Sequence, residues 1–155
     1  MILRDWLLWG FGATLVLTTV MAASQGLGLT RMNIPYLLGT MVTSDRDRAT
    51  LWGIGLHLVN GWIFALLYLA LFRAVGFATW WLGALIGMAH AAFVLTVGVP
   101  AMPALHPRMA SETHGPTVVR QLEPPGFLAL HYGRRTPVTV LVAHILFGAL
   151  LGLVM

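Results

Sequence analysis

The chain contains no cysteine and no lysine. The first absence removes disulfides, thiolate nucleophiles and thiolate metal sites together. The second closes Schiff-base chemistry. Charge of either sign is scarce: five acidic residues and nine basic ones, all nine arginine, in a chain of 155. A soluble domain carries about 25% charged residues, against 9% here. With 58% hydrophobic residues and a mean hydropathy of +0.82, that scarcity leaves a polytopic membrane protein as the class. No carboxylate falls inside any long apolar run, so an aspartyl dyad and an acid-relay pump are excluded. The His-Glu-x-x-His, Gly-x-Ser-x-Gly and Walker patterns are missing as well, and the chain is read as a non-enzyme. Its arginines lie at span ends rather than on one face among aromatics, so nucleic acid is not an expected partner.

What is present is four apolar runs, at residues 6–29, 49–72, 80–99 and 138–155. The second has 24 residues without a charge. At about 1.5 Å per residue it reaches roughly 36 Å, enough to cross a ~30 Å hydrocarbon core with some tilt. The expected fold is an all-α, single-domain membrane protein of four transmembrane helices with short interfacial segments. Arg4 and the run ending in Met21-Ala22-Ala23-Ser24 resemble a secretory leader, but Asp5 and the length of the run argue that the first span is retained. In residues 30–48, Pro35 and Gly39 interrupt any long helix, so residues 34–41 are expected to lie in the interface with Tyr36 at headgroup level. Thr43 or Ser44 is the expected cap of the next helix, with Asp45 and Asp47 in its first turn. Trp80 and Trp81 anchor the third span, and Pro100 and Pro103 are expected to end it. Residues 106–137 form the one long polar connection, of a length that is usually functional or disordered.

Small residues at a spacing of four mark helix contacts: Gly83, Gly87 and Ala91 in the third span, His144, Gly148 and Gly152 in the fourth, His57, Gly61 and Ala65 in the second. The shared His-x-x-x-small spacing suggests two tandem two-helix repeats of one orientation, chance similarity among apolar helices being the alternative. Arginine sets the topology. Seven (Arg31, Arg46, Arg48, Arg108, Arg120, Arg134, Arg135) lie in the first and third connections, and only Arg4 and Arg73 on the other side. The long connections are therefore expected in the cytoplasm and both termini outside.

Three histidines fall within the spans. Counted from the presumed cytoplasmic ends, His57 lies about 12 Å deep, His144 about 9 Å and His90 about 14 Å. Imidazoles at that depth almost always face protein or a water-filled cavity. As neutral ligands they suit a transition metal ion or a haem, with Met21 at about 12 Å as a soft ligand and Asn60 and His131 in support. The alternatives are histidines that hydrogen-bond helix to helix, a proton relay fed by His106, His114 and Glu112, or an accessory subunit of a larger membrane complex without a ligand. Four spans are few for a transport path, so a homodimer or larger assembly in the lipid bilayer is expected. Within the first span, Thr14, Thr18, Met21 and Gln25 recur on one face; the threonine hydroxyls are read as bonded back to their own helix.

The stretches MNIPYLLGT, HLVNGWIFALLYLALF and FLALHYGRRTP with AHILFGALLG resemble a family of small four-span bacterial inner-membrane proteins of unknown function. In that family a Pro-x-x-Leu-Gly-Thr segment precedes a His-x-x-x-Gly span, and a Tyr-Gly element precedes a final His-x-x-x-Gly span. The likeness covers most of residues 32–152. It implies a four-helix bundle in a bacterial inner membrane and carries no activity.

Overall fold

The computed structural model describes residues 3–155. Its elements are α1 (Leu3–Gly26), a short α2 (Ile34–Gly39), α3 (Arg46–Val75), α4 (Trp80–Phe93), a π-turn (Val94–Gly98), α5 (Val99–Leu105), a 3-10 turn (Phe127–Tyr132) and α6 (Thr136–Val154). Among the described residues the only β pairing is two isolated bridges. α4, the π-turn and α5 run on as one helix, Trp80–Leu105. That helix, α1, α3 and α6 are each long and apolar enough to cross a membrane. The chain is a helical membrane protein with four spans.

Several boundaries differ from the sequence reading. α1 stops at Gly26, and the chain turns at Gly28 (φ +69°), a left-handed position that glycine takes without a Cβ clash. Asp45, rather than Thr43 or Ser44, caps α3 by accepting the Arg48 N–H at 2.8 Å. Thr43 Oγ1 instead accepts the Asp45 N–H. Pro100 and Pro103 do not end the third span. The π-turn widens the backbone ahead of Pro100, with Val99 N–H bonded to Val94 C=O, and Pro103 sits inside α5. Residues 34–39 form a short helix capped by Asn33 and packed on the start of α3. Glycine permits that packing: a Cβ on Gly53 would stand 1.6 Å from Pro35 C=O, and one on Gly39 1.6 Å from Ala49 C=O.

The bundle is held by close backbone approach. α4 packs on α6 through Gly83, Gly87, Gly148 and Gly152. A Cβ on Gly83 would meet Gly148 C=O at 2.0 Å, and one on Gly87 would meet His144 C=O at 2.2 Å. α1 packs on α3 through Gly61, whose missing side chain makes room for Thr14. Thus the His-x-x-x-Gly stretch of α3 faces α1, and that of α6 faces α4. α1 also packs on α6, whereas α3 and α4 share little close backbone contact. They meet instead through side chains: Phe64 stacks on His90 (ring centroids 3.9 Å apart) and Tyr68 reaches His90 edge-on.

The long connection is ordered. Met109 and Leu122 pair, and His106, Met109, Ala110, Pro125, Ala129 and Tyr132 are buried. It folds over one end of the bundle and, with α2, closes it.

Candidate functional site

Between the splayed α3 and α4 lies a cavity of about 300 Å³. It runs from mid-bundle, at Thr14, Gly61 and His90, to the closed end at Met32, Leu38 and His106. Its walls are mostly apolar, with no Asp, Glu, Lys or Arg. The polar side chains that line it are Thr14 of α1, His57 and Asn60 of α3, His90 of α4, His144 of α6 and His106.

Hydrogen bonds assign the histidines roles. His144 Nδ1 lies 2.8 Å from Val140 C=O, one turn back on its own helix. A carbonyl only accepts, so Nδ1 carries the proton and Nε2 keeps its lone pair. Tyr68 is buried, and its hydroxyl has one partner, His90 Nδ1 at 3.3 Å. The tautomer that gives the phenol proton an acceptor has His90 Nδ1 take it and His90 carry its own hydrogen on Nε2. No buried side-chain nitrogen or oxygen among the described residues lacks a partner, so the free edges of His90 and His144 are reached from the cavity. His57 is half-buried and Asn60 exposed on the rim, and neither side chain makes a hydrogen bond within the described residues.

The three intraspan histidines thus line one cavity, but not as a ligand set. His90, placed deepest and farthest from the others by counting, in fact touches His144 edge to face, ring centroids 4.6 Å apart. A metal or haem iron held between those two rings needs two bonds of about 2 Å plus the ring radii, a wider spacing. Among the described residues no three His, Asp or Glu side chains gather to hold a metal ion. His90 is held by stacking on Phe64 and by the Tyr68 hydroxyl, which fixes its ring against that of His144. His131 lies outside the site, in the folded connection, with Nδ1 donating to Pro124 C=O. Met21 is buried on the cavity wall. Thr14 and Thr18 bond back to Gly10 and Thr14 C=O.

The closed end is a polar latch. His106 Nδ1 accepts the Arg108 N–H at 3.0 Å, so Nε2 carries the proton and donates to Leu37 C=O at 2.9 Å, with Thr40 Oγ1 at 3.2 Å. Arg108 adds a bond to Thr40 C=O at 2.6 Å. Burial pushes the His106 pKa below the usual histidine value. The Leu37 hydrogen bond opposes that shift, and the charges of Arg108 and Arg120 add to it. Beside the latch, Arg31 bonds Glu123 and His131 C=O. Tyr132, its hydroxyl donating to Glu123 C=O at 2.7 Å, has its pKa pushed up to about 12 by burial and then by Glu123 and Glu112. Sequence reading named His106 but not its role. Its partners lie 66 and 69 positions away, and no local pattern announces them.

Comparison of the chain with family models, with curated proteins and with solved structures returns no match.

Proposed function

We propose that this four-span membrane protein binds a small uncharged ligand in the cavity between α3 and α4. The observation that carries this reading is a set of polar edges (His57, Asn60, His90, His144) facing an apolar cavity within the spans, with hydrogen-bonding capacity the protein leaves unused. Polar groups at membrane depth are costly and mark functional sites by default. The uncharged walls favour an uncharged ligand, since a charge there has no counter-charge to meet. A soft transition metal ion is the second reading, favoured by the thioethers of Met21, Met32, Met41 and Met102 on the same walls.

The test is the organic extract and metal content of the protein purified in mild detergent. A co-purifying molecule or metal is expected in the wild type and lost in the His57→Leu/His144→Leu double variant. An empty wild type together with a stably bound partner protein would favour an accessory subunit instead.

We further propose a bacterial inner-membrane location, as the family resemblance implies, with the closed end cytoplasmic and both termini outside, an orientation resting on the seven-to-two arginine asymmetry. A cytoplasmic reporter fused after Arg120 should be active and one fused after Arg73 silent. The reverse pattern would invert the topology.

A further inference from the structure

Building on the proposed binding reading, we infer that the ligand is an apolar molecule bearing a free hydroxyl, an alcohol or phenol drawn from the bilayer. His144 presents a fixed acceptor, because its only proton is committed to Val140 C=O. A ligand offering carbonyl or ether oxygens alone leaves that acceptor unpaired in an apolar site. Beside it His90 presents a donor in the tautomer whose Nδ1 takes the Tyr68 proton, the one that leaves no buried phenol hydrogen unpaired. With the two rings in contact, a hydroxyl serves both: its hydrogen goes to His144 and its oxygen accepts from His90. A carbonyl satisfies one of the two, and an ammonium brings a charge the walls do not answer. The remaining lining, including Leu17, Phe64, Val94, Val140 and Phe147, suits a hydrocarbon or aromatic body. Access from lipid is through the side where α3 and α4 diverge, with Asn60 exposed on the rim.

The experiment is calorimetric titration of the full-length protein in mild detergent with 2-naphthol and with 2-methoxynaphthalene, blanked against empty micelles. The two probes share a ring system and differ in one O–H. The expected result is saturable naphthol binding, with the ether at least about tenfold weaker, because a site built around a hydrogen bond rejects the analogue that lacks it. His144→Phe should bring naphthol down to the level of the ether. Asn60→Leu, at an exposed position where folding is not at stake, should weaken naphthol less than His144→Phe does. Equal binding of both probes overturns the hydroxyl requirement while leaving a ligand cavity. Absence of saturable binding by either probe also overturns it. If a co-purified molecule is nevertheless lost on changing His57 and His144, the binding reading survives and only the hydroxyl inference falls.

Discussion

Gly148→Leu should leave almost no folded protein in mild detergent, and Gly148→Ala should already lose about 2–3 kcal/mol, the upper part of the range for overpacking. A Cβ at Gly148 would stand 2.1 Å from Gly83 C=O, and one at Gly83 2.0 Å from Gly148 C=O. The contact is backbone on backbone, so no rotamer change relieves it. The two helices would have to part by roughly an ångström. Parting them also disturbs Gly87 against His144 and Gly152 against Thr79, whose clearances are as tight. Gly55 is the control, because a Cβ there meets nothing within 4 Å. Gly55→Ala should be neutral or slightly stabilising, through loss of backbone freedom in the unfolded chain. If Gly148→Ala melts at the same temperature as Gly55→Ala, α4 and α6 are not packed as described.

His106→Leu should cost about 2–4 kcal/mol, since it strips partners from the buried Arg108 N–H and from the Leu37 and Thr40 groups together. The same residue should make stability depend on pH, with a definite sign. Protonation would place a hydrogen on Nδ1, where Arg108 N–H already points. The native state thus favours neutral imidazole, and its pKa is lowered. In the unfolded chain the value is about 6.5. Below that pH the unfolded state binds more protons, so stability is full above about 6.5 and falls as the medium is acidified toward the lowered native value. Thermal unfolding from pH 8 to pH 5 should show the wild type losing more stability than His106→Leu. Parallel profiles for the two proteins would remove the latch from the account.

The parts of this architecture legible in the sequence are those with a local period. The spans announce themselves by length and lack of charge, and Gly83, Gly87, Gly148 and Gly152 by their spacing of four, because helical contact surfaces repeat on that scale. His57, His90 and His144 were visible as costly groups in apolar runs. Their mutual geometry was not, since depth counting ignores rotation about the helix axis and the hydrogen bonds that orient each ring. Span ends were misplaced where backbone chemistry departs from rule, as at Pro100 and Pro103. The connection over residues 106–137 read as polar and loose. Its order comes from a few buried residues: His106, whose partners Leu37 and Thr40 are remote in the chain, and Met109 and Tyr132, which pair with Leu122 and Glu123 inside the connection.

The π-turn at Val94–Gly98 changes the phase of the helix that contains it. A regular α-helix advances about 100° per residue, so Met102, twelve residues after His90, would point about 120° away from it. Housing one surplus residue in the wide turn makes the effective separation eleven, and the difference shrinks to about 20°. By the same count Val99 moves from the opposite side of the helix to the cavity side. His90 and Met102 consequently line the same cavity. The histidine at the middle of the bundle and the thioether near its closed end are thus kept in register by one extra residue of backbone.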